Sequence, residues 1–180
     1  MGSKIHTVKD MTLVAVCASI LFVQQLALSF IPNVQFSTLL IILYAKLLGF
    51  RRTTFIIIIH VLAINMLSPY GAMNPVLLPA MFIAWMIIPV ALHTIFKRLD
   101  SAIHLSVFGL VYGFVYGWVF IPFSVFILGV PFKTYFLADI PFKIVMAVSN
   151  FVTILWLYDV LRKAFETQLI KYKESHKIHI

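Results

Sequence analysis

Six long apolar stretches run through the chain, separated by short breaks that carry polar residues, glycine or proline. Apolar residues occupy all sides of these stretches, so their length, not their periodicity, indicates what they form. Backbone groups in lipid must be hydrogen-bonded within the protein, and uninterrupted apolar runs lack the alternation of a barrel strand. The pattern therefore predicts an all-α integral membrane protein, a bundle of about six transmembrane helices. Their approximate ranges are 11–31, 34–50, 53–67, 76–96, 102–128 and 139–161.

Composition strengthens this prediction. Hydrophobic residues make up 62% of the 180 residues and charged residues only 11%, and the mean hydropathy is +1.04. A soluble domain has about half apolar and a quarter charged residues. A membrane span needs about 20 residues, so about six spans use most of the chain. We expect a single membrane domain over residues 1–180, with a charged cytosolic tail at 162–180.

The basic residues are distributed unevenly between the two predicted membrane faces. The net charge of +8 would suggest a nucleic-acid partner for a soluble protein. Here, all 14 lysines and arginines except Lys133 and Lys143 fall in the terminal segments or beside the two–three and four–five turns. Basic residues concentrate in cytoplasmic loops. We therefore expect cytosolic N and C termini, three outward-facing loops and no nucleic-acid partner.

Motifs for catalysis are missing from the sequence. It has no G-x-x-x-x-G-K-[ST] loop for nucleotide phosphates and no H-E-x-x-H zinc motif. The six histidines lack metal-ligand spacing, and among the acidic residues only Asp139 falls on the predicted outer side. We therefore expect no enzyme activity, no metal and no cofactor.

Three polar residues share one face of the sixth predicted helix. Asp139, Lys143 and Asn150 are spaced by four and seven residues. Ionisable residues inside a span are costly and usually face a cavity or a partner. We interpret them as one wall of an outward-facing ligand pocket. The alternative is a simple Asp139–Lys143 pair near the interface, with Lys143 extending outward to water.

Other polar and aromatic residues are predicted near the same outer side or, for Trp85, at mid-membrane. Each alone fits a helix end or an aromatic belt, but together they favour a pocket with few polar groups on apolar walls. The further candidate substrate-binding residues are Asn33, Gln35, Asn65, Tyr70, Asn74 and Trp85.

Small residues suggest two packing surfaces. Gly109, Gly113 and Gly117 recur every four residues in the fifth predicted helix, a spacing that allows close helix approach. Ala15 and Ser19 form a small-x-x-x-small pair in the first helix, where another membrane subunit could dock.

On these residues the chain resembles a substrate-binding (S) component of an energy-coupling factor (ECF) vitamin transporter, an ABC-type importer. The resemblance covers the whole chain. Its layout agrees, and Ala15 to Ser19 matches the family's Ala-x-x-x-Ala motif, with serine in place of the second alanine. The stretches 31–35 (Ile-Pro-Asn-Val-Gln) and 139–143 (Asp-Ile-Pro-Phe-Lys) are also similar.

The resemblance implies a multi-pass protein of the bacterial plasma membrane that captures a vitamin from outside. A transmembrane coupling subunit, contacted through Ala15 and Ser19, and two ATPase subunits would be its partners. A pyridoxine or hydroxymethylpyrimidine type of compound is the first expectation for the ligand, followed by pantothenate or a folate. A stand-alone secondary transporter or channel for a small solute is the main alternative, and a purely structural membrane subunit is the other.

Overall fold

The computed structural model describes residues 8–31, 34–67 and 75–174. These ranges are helical and contain no strand, which confirms the all-α prediction. A 3-10 turn, Pro75–Leu77, precedes the fourth helix, and a wide π-helical turn, Phe123–Ile127, extends the fifth. The helices of the described ranges are α1 (Val8–Ala27), α2 (Ser37–Leu48), α3 (Phe50–Met66), α4 (Leu78–His93), α5 (Ala102–Pro122) and α6 (Phe132–Glu174).

Four stretches are long and apolar enough to cross a membrane, namely Val8–Ala27, Pro75–His93, Ala102–Ile127 and Phe132–Tyr172. The helices α2 and α3, with 12 and 17 residues, are shorter than the about 20 residues of a typical span. The multi-pass prediction agrees with the four long stretches, whereas the count of six spans stays a prediction.

The short helix α2 lies in the interior of the bundle. Its residues from Ser37 to Ala45 are all buried, and it contacts α1, α3, α4 and α6. A helix that is apolar on all sides is stable only when neighbours surround it. The outside of the bundle is apolar as well, with Val148 54% and Trp156 74% exposed. Such a surface suits lipid rather than water.

One end of the bundle collects most of the basic residues. Arg52 Nη2 lies 2.8 Å from Asp10 Oδ1, which joins the starts of α3 and α1. Lys46 Nζ lies 3.2 Å from Asp100 Oδ1, which joins the end of α2 to the α4–α5 connector. We call this the basic end. It comprises the start of α1, the α2–α3 turn, the α4–α5 connector and the end of α6.

At the opposite end, uncharged contacts join α1 to α2 and α3 to α4. Gln24 Nε2 of α1 donates to Ser37 Oγ of α2 over 2.7 Å. Asn65 Nδ2 of α3 lies 3.2 Å from Met81 Sδ of α4. Consecutive helices therefore run in alternating directions between the two ends.

The helix boundaries differ most from the predicted ones in α6. It begins at Phe132 instead of about Asp139, and it continues past Leu161 to Glu174. Pro131 immediately precedes the helix, and its carbonyl accepts the first helical hydrogen bond from the Tyr135 amide over 3.0 Å, so the polar residues that follow are helical. Beyond the membrane-length portion, an Arg162–Glu166 pair at 2.9 Å supports the helix. Residues 162–174 of the predicted tail thus continue α6.

Candidate functional site

Among the described helices, α5 and α6 share the most extensive contact, and three glycines of α5 face α6 there. A Cβ atom added at Gly113 would lie 2.6 Å from Cα of Ala147, and one at Gly117 would overlap Cε of Lys143. Only glycine allows both approaches in this arrangement. The packing role predicted for the glycine repeat is confirmed for these two positions and for Gly109, where a Cβ would overlap Cδ1 of Ile154.

A cavity of about 220 Å³ opens beside this contact, at the end of the bundle opposite the basic end. Its wall combines one side chain of α4 with several of α5 and α6. The lining residues are Met81, Gly113, Tyr116, Gly117, Phe120, Tyr135, Asp139, Phe142, Lys143 and Met146. Aromatic rings thus cover much of the wall, and the two charged side chains lie on α6.

Lys143 and Asp139 form an ion pair in the cavity wall, with Nζ 2.8 Å from Oδ2. The lysine side chain is only 4% exposed and the aspartate side chain 22%. The intrahelical pair that the alternative interpretation described is therefore present, and its lysine is buried within the bundle. Its ammonium group also lies 5.3 Å from the ring centroid of Phe136, within the range of a cation–π interaction.

The ammonium group of Lys143 keeps donor capacity for a ligand. Neither Nζ nor the facing Oδ2 of Asp139 makes a hydrogen bond of good geometry among the described residues, although their separation is that of an ion pair. A lysine ammonium carries three N–H donors. Burying a charge with unused donors is costly, and an acceptor on a bound molecule would offset that cost.

Trp85 lies behind the cavity wall. Its side chain is 0% exposed, and its ring centroid is 5.0 Å from that of the lining residue Tyr116. The His60 ring lies 6.2 Å from Trp85 on the far side. Trp85 Nε1 and both ring nitrogens of His60 lack hydrogen-bond partners in the described part of the chain. Trp85 thus supports Tyr116 and does not line the cavity.

Asn65 reaches the cavity only through a neighbour. Its Nδ2 donates to the Val61 carbonyl over 2.6 Å and lies 3.2 Å from Sδ of Met81, which lines the cavity. Its Oδ1 has no hydrogen-bond partner among the described residues.

Asn150 lies outside the cavity lining. Its Nδ2 donates to the Gly109 carbonyl over 3.1 Å, and the side chain is 0% exposed. It is about 10 Å further along α6 than Lys143, at 1.5 Å per residue. The structure gives Asn150 a role in joining α6 to α5, not the place in the pocket that helical spacing indicated.

Gln35 belongs to a separate polar cluster between α1 and α2. Its Oε1 accepts a hydrogen bond of 3.2 Å from Ser37 Oγ, and Gln24 Oε1 accepts one of 2.9 Å from the Phe36 amide. The structure therefore uses Gln35 at the α1–α2 junction. The remaining predicted site residues, Asn33, Tyr70 and Asn74, lie outside the described residues.

The sequence prediction missed most of the apolar and aromatic wall. Tyr116 and Phe120 are spaced by four, as Gly113 and Gly117 are, so they share the face of α5 beside the glycines. That spacing was available in the sequence. Met81 and Met146 gave no comparable signal, because their place in the wall depends on how α4 packs against α5 and α6.

The pair Ala15 and Ser19 lies on the exposed face of α1. Ser19 Oγ donates to the Ala15 carbonyl over 2.9 Å, so its hydroxyl is satisfied within the helix. The two side chains are small, and neither presents an unsatisfied hydrogen-bond donor to a neighbouring helix.

Within the described residues, no group of three or more histidine, cysteine, aspartate or glutamate side chains could hold a metal ion. Searches against protein-family models, curated proteins and solved structures found no match. The functional argument therefore depends on the cavity itself.

Proposed function

We propose that this chain captures a small water-soluble vitamin or vitamin precursor from outside the cell, as the S component of an ATP-driven ECF importer in the bacterial plasma membrane. The observation that carries the proposal is the buried Lys143–Asp139 pair, set in an aromatic cavity at the end away from the basic residues. Because basic residues concentrate on the cytosolic side, the cavity faces outward and both termini are cytosolic.

The size of the cavity argues for a small ligand. Pockets for drug-sized molecules measure about 300–1,000 Å³, and this one measures about 220 Å³. A single substituted ring fits that space, whereas a folate, with several linked units, exceeds it. Pyridoxine and hydroxymethylpyrimidine are therefore the preferred candidates, and pantothenate is next.

The chemistry of the wall supports the same class. Tyr116, Phe120 and Phe142 offer ring surfaces for stacking. Lys143 can donate to a ring nitrogen or a hydroxyl oxygen, and Asp139 can accept from a hydroxyl group. A ligand with both kinds of group would satisfy the two charged side chains together.

Energy for uptake would come from other subunits in this proposal. The sequence lacks a nucleotide-binding loop, so two ATPase subunits would hydrolyse ATP. The coupling subunit would dock on the small face of Ala15 and Ser19, where close helix approach is possible.

Vitamin retention by the purified chain is the first test. The probes are radiolabelled pyridoxine, hydroxymethylpyrimidine, pantothenate and folate, which we call the vitamin panel. We expect tight binding of one of the first three, no binding of folate, and loss of binding in Lys143→Met. Failure of the whole panel to bind would contradict the proposal.

Uptake and assembly experiments distinguish an S component from the alternative functions, such as a stand-alone secondary transporter. We expect no gradient-driven uptake in liposomes that contain only this chain, and uptake when the coupling subunit and ATPases are added. Uptake by the chain alone would favour a secondary transporter. Ala15→Trp should abolish co-purification with the coupling subunit and leave vitamin binding intact. Leu62→Trp on the exposed face of α3 is the matched control.

A further inference from the structure

A second cavity lies on the outside of the bundle, between α4 and α5. It measures about 430 Å³ and is lined almost entirely by apolar side chains. We call it the α4–α5 groove, and its principal lining residues are Ile87, Ala91, Phe96, Val107, Phe108 and Val111. Val107 and Val111 are about half exposed, at 51% and 54%. The groove therefore opens to the lipid around the protein.

Packed aromatic rings form the floor of the groove. The rings of Phe96 and Phe108 lie 5.7 Å apart edge to face, and Phe108 stacks on Tyr112 at 6.4 Å. Tyr112 in turn donates from its hydroxyl to the Ala84 carbonyl over 2.9 Å. This chain of contacts ties α5 to α4 along the floor of the groove.

The mouth of the groove is positively charged. Phe96 and Leu99 both line the groove, and the two residues between them, Lys97 and Arg98, are exposed. Neither forms an ion pair among the described residues. His104, in the first turn of α5, also lines the groove.

The acidic residue in the same connector does not cancel this charge. Asp100 lies in the same connector, and its carboxylate is paired with Lys46 at 3.2 Å. Lys46 also donates to the Lys97 carbonyl over 3.1 Å, which fixes the connector backbone across the mouth. The basic side chains of Lys97 and Arg98 remain available to an outside anion.

We propose that the α4–α5 groove binds an anionic glycerophospholipid from the leaflet at the basic end. An acyl chain fills the apolar groove, and the phosphate group meets Lys97, Arg98 and His104. Basic pockets between helices at a membrane surface select anionic headgroups in this way. The positive end of the α5 helix dipole adds to the attraction.

Lipid selection can be measured on the intact chain. The protein is placed in nanodiscs of equal parts phosphatidylglycerol and phosphatidylcholine, then released, and its bound lipid is identified by native mass spectrometry. We expect preferential retention of one phosphatidylglycerol. Lys97→Gln/Arg98→Gln should weaken that retention about 25-fold, at about fivefold for each basic residue near the surface.

Control variants distinguish lipid binding in the groove from a general attraction between anionic lipid and a basic protein. Lys163→Gln/Lys171→Gln removes the same charge from exposed positions of α6 and should leave retention unchanged. Ala91→Trp should displace the lipid by filling the groove. Equal retention of the two lipids, or equal losses in both double variants, would overturn the proposal. A lipid-free dimer that Ala91→Trp dissociates would assign the groove to a second copy of the chain and also overturn it.

Discussion

Gly117 of α5 and Lys143 of α6 pack so closely that a Cβ at position 117 would overlap Cε of the lysine and lie 2.9 Å from Asp139 Oδ2. The absence of a side chain on one helix thus creates the space for a buried charge on the other. The glycine repeat serves the cavity as well as the helix contact, because its last member faces the ion pair.

Gly117→Ala should weaken vitamin binding without unfolding the protein. The atoms that the new methyl group meets belong to the flexible side chains of Lys143 and Asp139, which can change rotamer and move the charged groups within the cavity while they remain paired. We expect at least tenfold weaker binding of the panel vitamin that the unaltered chain retains, with little change in melting temperature. Equilibrium binding and thermal unfolding in detergent measure the two effects, and unchanged affinity would contradict the arrangement.

Gly113→Ala should lower the stability of the protein more than Gly117→Ala does. The new Cβ would meet backbone atoms of Ala147, with Cα at 2.6 Å and N at 2.7 Å, and a helix backbone cannot move alone. Overpacking typically costs about 1–3 kcal/mol. We expect a lower melting temperature than for Gly117→Ala, which is the matched comparison. Equal melting temperatures of the two variants would contradict this prediction, because α6 would then have shifted to make room for the new methyl group.

The two members of the ion pair should differ in their effect on stability. Asp139→Asn leaves the ammonium group of Lys143, 4% exposed, without its counter-charge, a situation that costs about 3 kcal/mol in buried pairs. Lys143→Met leaves a carboxylate that is 22% exposed and can reach water. We expect Asp139→Asn to melt at the lower temperature, and the double variant to recover part of the loss. A lower melting temperature for Lys143→Met than for Asp139→Asn would contradict the greater burial assigned to the lysine.

Asn150→Ala tests a role that helical spacing alone did not reveal. It removes the hydrogen bond to the Gly109 carbonyl, and a buried bond of this kind contributes about 1 kcal/mol. We expect a modest fall in melting temperature and unchanged vitamin affinity. A large loss of vitamin affinity with an unchanged melting temperature would contradict this role and indicate that Asn150 contacts the ligand.

Orientation can be checked by cysteine labelling in intact cells. Cys17 is the only cysteine and is 1% exposed, so background labelling should be low. A membrane-impermeant maleimide should label Lys133→Cys at the cavity end from outside. Ser101→Cys at the basic end should react only after permeabilisation. The reverse pattern would place the cavity in the cytosol and refute vitamin capture from outside.

Some features of the site were predictable because they depend on neighbours along one helix. Asp139 and Lys143 are four residues apart, so a helix alone brings them together. Boundaries were less predictable: Lys133 and the polar residues after it resemble a loop in composition, yet they form the first turns of α6. Local polarity does not prevent a helix from beginning here, where the Tyr135 amide already donates to the Pro131 carbonyl over 3.0 Å.

The sequence by itself determined that the chain is helical and suited to lipid, since uninterrupted apolar runs leave the backbone no other way to bond within a bilayer. It also determined the uneven distribution of charge and the position of Asp139 and Lys143 on one helix face. Only the tertiary structure decided that Tyr116 lines the cavity, that Trp85 stands behind it and that Asn150 joins two helices. Those roles depend on which faces of α4, α5 and α6 meet. Contacts between residues on different helices do not produce a regular spacing that can be recognised in the sequence.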